Sequence, residues 1–456
     1  MSFRAHVKRN LSSSAPASTL FQSDLIYVTA KHEPTSNFVI SPVAIRSLLT
    51  IISISVIREP HRELLAAMGL KSSHQGIQEF KACRNANKDE FVFTQHNAIY
   101  VDNRFEIDMA FRVTCLEQFQ TRPENINFEL LEGITHHINT WINEQTEDQI
   151  STRIAADTMD VLQHNLLISI GRFESKWRKA FPKKFLTKSD FWLTPTEKVE
   201  VPMMHDYCEL PFGELDELKA TALVLPYRNL NVKLIILIPK EIDGLPKLEE
   251  HLKLQRVDIT VLPSLLKVKN VKLGMPRVKL ESNLLINEIL KELGINAIFN
   301  DCIDFTRLLT AFNITKISQI RHIAAIEIND DGTGASSSKV SFLLTEIEKC
   351  TEFDINRPFF YAVMDNERIY FGGHITNTNN FIGIGAAARG VRCTFFDKPA
   401  AGNNKTQLLC AQITVIYNVK LRQFTGAPVA ATANKEAQPQ CSSAAAHCYL
   451  PHAACN

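Results

Sequence analysis

Apolar residues in the first third of the chain recur at the three- and four-residue intervals of amphipathic helices. The helical stretches are Phe21 to Val28, the segment after Ser41-Pro42, His61 to Met68, and Ile134 to Gln145. Ser41 and Pro42 supply an N-cap and a first-turn proline, and Gly69 supplies a stop after the third stretch. The pattern therefore predicts that the first third is mainly helical.

From Glu200 onward the pattern changes to short apolar runs bounded by turn residues, as in β-strands. Two runs, Ala222 to Pro226 and Val232 to Pro239, are separated by a stretch with the length of a hairpin connection. The other predicted strands cover Ile320 to Asn329, Phe359 to Val363 and Tyr370 to Ile375. One helix is predicted among them, with Leu284, Leu285, Ile289 and Leu293 on one side and Gly294 at its end. Helices followed by strands, without βαβ alternation, predict an α+β fold and not a doubly wound sheet.

A connection of about 25 residues lies between the last two groups of strands, and connections of this length in compact chains are usually functional. It begins with small and polar residues from Asp330 to Ser338, and its middle, Val340 to Ile347, is apolar and rich in β-forming residues. Such an apolar stretch is costly to leave in water unless a partner binds it. A flexible linker is the structural alternative, because glycine and serine suit a linker equally well.

Sequence patterns of common enzymes are missing. Gly332-Thr333-Gly334 invites comparison with a phosphate-binding loop, but Lys339 follows a serine where that motif requires glycine. The chain has no G-x-S-x-G nucleophile turn, no H-E-x-x-H zinc motif and no dinucleotide fingerprint. We therefore predict a protein that is not an enzyme and that uses no cofactor.

The composition of the chain excludes some classes of binding partner. The 456 residues carry 50 basic and 49 acidic side chains, a net charge of +1, and 45% of the residues are apolar. The chain can bury a large core, but it lacks the basic excess expected of a nucleic-acid-binding protein or of one held on a membrane by charge. No segment approaches the 18 or more apolar residues of a membrane span. We expect neither a nucleic acid nor a membrane as partner.

Both ends differ from the body of the chain. Residues 381–456 hold 16 alanines and five of the ten cysteines, without lasting apolar periodicity, so we expect a disordered C-terminal tail outside the fold. Residues 1–16 are expected to be a disordered extension. The tail residues Cys441, His447, Cys448, His452 and Cys455 match none of the usual zinc spacings, and we predict no metal site.

The compartment is less well defined by the sequence. Five cysteines of the body are widely spaced and odd in number, which indicates thiols and not a disulfide framework: Cys83, Cys115, Cys208, Cys302 and Cys350. The N-terminus lacks the apolar stretch of a secretory signal, so an intracellular location stays open as the alternative to secretion. Asn10, Asn313 and Asn404 begin glycan-acceptor triplets, which matter only in a secreted protein.

Several motifs, in order along residues 17–380, resemble the serpin family. They are Asn37-Phe38-Val39-Ile40-Ser41-Pro42, Ile138-Asn139-Thr140-Trp141, Glu174-Ser175-Lys176-Trp177, Val201-Pro202-Met203-Met204, Met275-Pro276-Arg277, Asp304-Phe305, and Phe353 to Val363. The resemblance implies a serpin fold of three β-sheets and eight or nine helices, with Gly332 to Arg357 as an exposed reactive-centre loop. It also implies a monomeric, metastable, secreted glycoprotein that inhibits a serine-type endopeptidase as a suicide substrate. Its cut loop would then insert into the central sheet.

The hinge of that loop agrees with such a mechanism. The hinge residues are Asp330, Asp331, Gly332, Thr333, Gly334, Ala335, Ser336, Ser337, Ser338 and Lys339. Small side chains suit a strand that must slide between two others. Inserted residues alternate between the two faces of a sheet, so if Thr333 points inward, Lys339 does too. An unpaired buried ammonium costs several kcal/mol, which opposes insertion.

The resemblance assigns a second group of residues to the region of the sheet that must open: Ser41, Ser169, Trp177, Arg277 and His322. His322 matches the family's histidine under the sheet, whereas Ser169 stands where the family has asparagine. Arg277 and Asp330 occupy positions where the family often has a base and an acid that face each other.

Cleavage by a target protease is predicted in a region and not at one bond. The region comprises Leu343, Leu344, Thr345, Glu346, Ile347, Glu348 and Lys349. A cut after Leu344 would suit a chymotrypsin-like or elastase-like protease, which we favour, a cut after Lys349 a trypsin-like one, and a cut after Glu346 an acid-selective one. Because of Lys339 and Ser169, a serpin-fold binding or storage protein that does not inhibit remains the alternative.

Overall fold

The computed structural model describes residues 17–85, 91–159, 165–229, 231–300, 303–310, 314–330, 332–333 and 350–382. The predicted extension 1–16, the tail from 383 onward and the connection from 334 to 349 therefore lie outside the described residues. So do Asn10, Asn313 and Asn404, and the cysteine and histidine group near the C-terminus.

Eight α-helices occur in the described residues. They are α1 (Ala17–His32), α2 (Pro42–Ser55), α3 (Arg58–Met68), α4 (Ser73–Asn85), α5 (Met109–Phe119), α6 (Leu131–Thr146), α7 (Leu245–Leu254) and α8 (Asn287–Glu292). The predicted signals act as expected at two ends: the Ser41 hydroxyl accepts from the Ala44 amide at 3.4 Å, and Gly69 ends α3 with a φ of 63°. Tertiary packing also fixes Gly69, because a Cβ there would lie 2.5 Å from the Cβ of Ala17.

The strands follow the order β1 (Phe38–Ile40), β2 (Phe91–Asp102), β3 (Glu124–Ile126), β4 (Asn165–Lys176), β5 (Leu186–Thr194), β6 (Glu197–Leu215), β7 (Ala220–Pro226), β8 (Lys233–Pro239), β9 (Lys267–Pro276), β10 (Val278–Leu285), β11 (Ile303–Asp304), β12 (Ile314–Thr315), β13 (Gln319–Ile328), β14 (Gly332–Thr333), β15 (Thr351–Asp354), β16 (Phe359–Met364) and β17 (Ile369–Ile375). The predicted hairpin of β7 and β8 is present, as are the strands predicted near residues 320, 359 and 370.

These strands form three sheets within the described part of the chain, and with the helices they make the predicted α+β fold. A nine-stranded sheet has the order β1-β17-β16-β8-β7-β6-β9-β15, with β5 paired to β6. A six-stranded sheet has the order β10-β13-β4-β2-β3, with β14 paired to β4, and β11 with β12 makes a small third sheet. The six-stranded sheet carries the candidate site.

The six-stranded sheet is buried on both faces. Along β4, Leu167 and Phe173 belong to apolar clusters between this sheet and the rest of the body. Leu166, Ile168 and Ile170 alternate with them and pack on the other face against α6. We call the first of these faces the inner face and the second the outer face.

Two sequence predictions are corrected. Leu284 and Leu285 belong to β10 and not to a helix, because all eight residues of β10 pair with β13; the helix begins only at Asn287. Phe381 and Ile382, which we assigned to the tail, contact the fold. The ring of Phe381 lies 5.1 Å from that of Phe191, and the Ile382 amide donates to the Arg277 carbonyl at 2.9 Å.

Candidate functional site: the opening of the six-stranded sheet

The two central strands of the six-stranded sheet, β4 and β13, run parallel and part before they end. They are paired from Gln319 opposite Leu166 to Ala325 opposite Arg172. Beyond Arg172, β4 instead pairs antiparallel with β14, which places Gly332 opposite Lys176 and Thr333 opposite Ser175. We call this divergence of β4 and β13 the sheet opening. The chain turns back into it directly after β13 ends.

The backbone register brings the hinge alongside an inner-face residue of β4. Thr333 pairs with Ser175, which is 1% exposed and, like Phe173 two residues before it, lies on the inner face. The inward orientation of Thr333 itself stays a prediction.

Trp177 directly follows β4 and lies at the sheet opening. It is buried, and its indole stacks on the ring of Tyr227 with 4.5 Å between centroids and 12° between planes. Its Nε1 donates to the carbonyl of Asn329 at 2.9 Å, directly after β13 ends. Trp177 thus ties the end of β13 to the end of β4, where β13 gives way to the hinge.

Asp330 and Arg277 face each other at the entrance, as the resemblance implied. Their closest side-chain atoms are Arg277 Nη2 and Asp330 Oδ1, 3.4 Å apart, and both side chains are mostly buried. Lys183 lies 3.7 Å from the other Asp330 oxygen, and the Asp330 carbonyl accepts from the Phe181 amide at 2.8 Å. Asp330, the first hinge residue, is therefore held on three sides.

His322 and Ser169 lie directly opposite each other in the paired part of the strands, and both are fully buried. The Ser41 amide donates to His322 Nε2 at 2.8 Å, and the Ser41 hydroxyl donates to the Tyr370 carbonyl at 2.7 Å. Ser41 therefore links the start of α2 to both large sheets. Gly171 allows this close approach, since a Cβ there would lie 2.7 Å from the Cβ of Ser41.

Burial sets the charge of His322. It lowers the pKa of His322 to about 3, against a smaller opposing effect of the nearby Ser169 backbone. The ring is therefore neutral, and because Nε2 accepts from Ser41, its proton resides on Nδ1. Nδ1 makes no hydrogen bond of ordinary geometry, and the hydroxyls of Ser169 and Ser175 have no partner among the described residues. Such buried polar groups cost about 1–3 kcal/mol each.

The segment between α6 and β4 contacts β10 and β13. One carboxylate oxygen of Glu281, on β10, accepts from the Ser151 and Thr152 amides at 2.9 and 3.0 Å and from their hydroxyls at 2.7 and 3.0 Å. Arg321 on β13 donates to the Thr158 carbonyl at 2.8 Å. These bonds fasten β10 and β13 to the segment that leads into β4.

Sequence reasoning missed several residues of this site. Tyr227, Asn329 and Glu281 carry no local motif, because each acts through a partner more than 40 residues away in the chain. Asp331, Gly334 to Lys339 and the cleavage region Leu343 to Lys349 lie outside the described residues. Trp177, Arg277 and Asp330 lie at the sheet opening, whereas Ser169, His322 and Ser41 lie next to the paired part of β4 and β13.

Two findings concern other kinds of site. In the described ranges, no three His, Cys, Asp or Glu side chains gather as metal ligands, and no helix is long and apolar enough to cross a bilayer. Cys83, Cys115 and Cys208 are thiols, as predicted, and burial raises their pKa values to about 12. Cys302 lies outside the described residues.

Comparison with known proteins identifies the family. The family described as Serpin (serine protease inhibitor) matches residues 16–378. The chain belongs to the serpin family, as its motifs indicated.

Individual relatives have low sequence identity to this chain, but the alignments extend over nearly the whole length of each relative. Antitrypsin of Bombyx mori is 27% identical over 364 residues, which cover 78% of this chain and 92% of that protein. The leukocyte elastase inhibitor of Bos taurus is 26% identical over 373 residues, covering 79% and 98%. The crystal structure of Serpin48 from the insect Tenebrio molitor superposes with a TM-score of 0.72 at 24% identity, covers 80% of this chain and 97% of its own, and confirms the fold.

Proposed function

We propose that this protein is not an enzyme but a monomeric inhibitor of a serine protease that acts as a suicide substrate. The protease serine attacks a carbonyl in the reactive-centre loop and forms an ester, and the new amino terminus leaves. The loop then inserts between β4 and β13 and carries the attached protease with it before water can release it. Strand insertion of this kind is a known mode of sheet completion.

The observation that carries the proposal is the pairing of Gly332 and Thr333 on β4, in the place where an inserted strand would begin. Because β13 does not pair with β4 beyond Arg172, an added strand needs to separate only the seven pairs that join the two strands between Leu166 and Arg172. The hinge residues that follow, from Gly334 to Ser338, are all small. Each inserted residue adds ladder hydrogen bonds worth about 1 kcal/mol, or on the order of 10 to 20 kcal/mol for a dozen residues with neighbours on both sides.

The target that we propose is a chymotrypsin-like or elastase-like serine protease that cuts between Leu343 and Lys349. The relatives named antitrypsin and leukocyte elastase inhibitor support a protease target in general and not this specificity. We further propose that the protein is secreted and acts outside the cell, where such proteases occur, and that it carries glycans added during secretion.

The test is incubation with chymotrypsin, pancreatic elastase, trypsin and a glutamate-specific protease, followed by denaturing electrophoresis and mass spectrometry. At least one protease should form an adduct that survives SDS, with the loop cut between Leu343 and Lys349. Matched samples with protease inactivated at its serine should give no adduct. If every protease that cuts there releases product without an adduct, the inhibitor proposal fails.

The second candidate function is a serpin-fold binding or storage protein that does not inhibit. Lys339 favours it, because the register would carry its side chain to the buried inner face, and so does the short Ser169 in the opening region. The same experiment separates the two, because a non-inhibitory member would be cut without trapping. Its melting temperature would then stay the same after the cut, whereas an inserting loop raises it strongly.

A further inference from the structure

The strand β15 forms the C-terminal end of the segment assigned to the reactive-centre loop. It lies at one side of the nine-stranded sheet, pairs with β9 at four positions, and pairs with no second strand in the described structure. Two backbone hydrogen bonds fix the residues that follow it. The Ile355 amide donates to the Gly274 carbonyl at 2.8 Å, and the Trp192 amide donates to the Asn356 carbonyl at 2.7 Å. The C-terminal end of the loop thus depends on a short strand at the edge of a sheet.

A row of three residues crosses the sheet beside β15. His205 of β6 and Asp354 of β15 both pair with Gly274, which lies between them on β9. A Cβ on Gly274 would lie 2.1 Å from Asp354 Oδ1 and 2.8 Å from His205 Nε2. Because glycine has no side chain, the imidazole and the carboxylate meet across the middle strand, with His205 Nε2 3.7 Å from Asp354 Oδ1. The row therefore joins β15 to β6, a strand with which β15 shares no backbone pairing among the described residues.

The hydrogen-bond partners of His205 decide where its proton lies. Nδ1 is 3.2 Å from the Thr187 hydroxyl and 3.3 Å from the Phe185 carbonyl. A carbonyl can only accept, so Nδ1 donates, and Nε2 of the neutral ring then carries a lone pair. That lone pair faces the carboxylate of Asp354, which is also an acceptor. A second proton, on Nε2, would turn this contact between two acceptors into a charge-assisted pair.

No other charged group around His205 competes for this role in the described part of the chain. The charged side chains on the elements that pack against it form their own pairs: Lys272 with Glu352 at 2.8 Å, Asp206 with Lys179 at 2.7 Å, Lys183 with Asp330 at 3.7 Å, and Lys188 with Glu200 at 3.8 Å. His205 and Asp354 also line a cavity of about 470 Å³, and the Asp354 side chain is 43% exposed, so protons reach the pair from solvent.

We propose that His205 and Asp354 are positioning residues, which fasten β15 and the end of the reactive-centre loop more firmly as the pH falls from 8 to 6. Histidine is the side chain whose charge ordinarily changes in this range. The hold on β15 does not depend on inhibition, whereas its consequence for a protease rests on the proposed function. A loop with a fixed end loses less conformational freedom when a protease binds it, so the pair should speed association.

Hydrogen exchange tests the hold on β15 without a protease. The protection of the amides from Thr351 to Ile355 is measured in the uncut parent chain and in His205→Gln, at pH 6.0 and 8.0. The ratio of the two proteins at each pH cancels the intrinsic pH dependence of exchange. The parent chain should be protected about threefold more than the variant at pH 6.0, as expected for a partly exposed ion pair, and no more than the variant at pH 8.0. Asp354→Asn should give the same ratios.

A matched control removes a histidine from another exposed ion pair. His137 lies 3.0 Å from Glu124, far along the chain from β15, and His137→Gln should protect β15 as the parent chain does at both pH values. Parent-to-variant ratios for His205→Gln that are the same at pH 6.0 and 8.0 would overturn the proposal.

A second measurement tests the consequence for the loop. With a protease that forms an adduct, the rate constant of adduct formation by His205→Gln should be about threefold below that of the parent chain at pH 6.0 and equal to it at pH 8.0. An equal rate at both pH values would refute the positioning role. If no protease forms an adduct, the proposed function fails, and the exchange ratios alone decide whether the pair holds β15.

Discussion

A substitution of Lys339 gives the most direct test of the proposed mechanism. If the inserted loop continued the register of β14 on β4, Lys339, seven residues after Gly332, would lie opposite Ser169, a residue of the inner face. His322 lies opposite Ser169 on the other side. Insertion of the loop would therefore bring an ammonium between two fully buried residues.

The cost can be worked from the partners available. Desolvation of the ammonium costs several kcal/mol, and one charge-assisted hydrogen bond to the Ser169 hydroxyl returns about 1.5–3 kcal/mol. His322 offers no acceptor, because its Nε2 already accepts from Ser41. A net cost of about 3 kcal/mol slows the insertion step by about 100-fold if it is felt fully in the transition state. It does not cancel a release on the order of 10 to 20 kcal/mol.

Lys339→Thr should therefore shift the outcome from cleavage towards trapping. The assay is the stoichiometry of inhibition, the number of inhibitor molecules consumed for each protease molecule trapped, measured with the best protease of the panel. The parent chain should consume many molecules per trapped protease, and the variant should approach one. Equal stoichiometry in the two proteins would remove the charge-burial explanation.

A double-mutant cycle checks the register itself. Ser169→Ala should worsen trapping by about tenfold or more when Lys339 is present, because the ammonium loses an acceptor worth about 1.5–3 kcal/mol, and should have little effect in the Lys339→Thr background. An equal effect in both backgrounds would show that Lys339 does not reach Ser169. The cycle thus distinguishes an error in the assumed strand register from an error in the estimated free-energy cost of burying Lys339.

Three further predictions test the sheet and the end of the domain. Burial holds the pKa of His322 near 3 in the folded protein, whereas its value in the unfolded chain is about 6.5. Between pH 6.5 and pH 3 the unfolded chain therefore binds a proton that the folded protein does not, and the free energy of unfolding falls as the pH drops through this range. The urea unfolding free energy should be about 2 kcal/mol lower at pH 5 than at pH 7.5, and His322→Gln should reduce that difference. Glu281→Gln should speed insertion of a peptide matching residues 332–343 about fivefold, equivalent to about 1 kcal/mol, whereas Glu288→Gln on α8 should leave the rate unchanged. Removal of residues 383–456 should leave the melting temperature unchanged, whereas Phe381→Ala, which loses the Phe191 contact, should lower it.

The parts of the fold that could be predicted are those with local causes. The cap at Ser41 and the stop at Gly69 depend on a few neighbouring residues, and each forms as expected. Leu284 and Leu285 show the limit of such reasoning. Their spacing with Ile289 and Leu293 fits a helix, but pairing of the whole segment with β13 outweighs that periodicity.

The same distinction between local and long-range causes applies to the residues of the candidate site. The pairing of Arg277 with Asp330 was reachable only through resemblance to a family, since 53 residues separate the two in sequence. The stacking of Tyr227 on Trp177 was not reachable at all, because a tyrosine beside a hairpin carries no signal for an indole 50 residues before it. Gly171 is similar: only the approach of Ser41 explains why a side chain is excluded there.

The buried polar groups of the sheet opening connect these observations to the proposed mechanism. The hydroxyls of Ser175 and Ser169 lie on the inner face of β4, along the line that an inserted strand would follow, and neither has a partner in the described residues. An inserted strand in the register of β14 would leave Thr333 opposite Ser175, where it already pairs, and would place Ser337 opposite Gly171 and Lys339 opposite Ser169. The Ser169 hydroxyl would thus gain one partner, the Lys339 ammonium, whose burial costs more than that bond returns. The free energy that drives the proposed insertion must therefore come from the backbone ladder and not from these side chains.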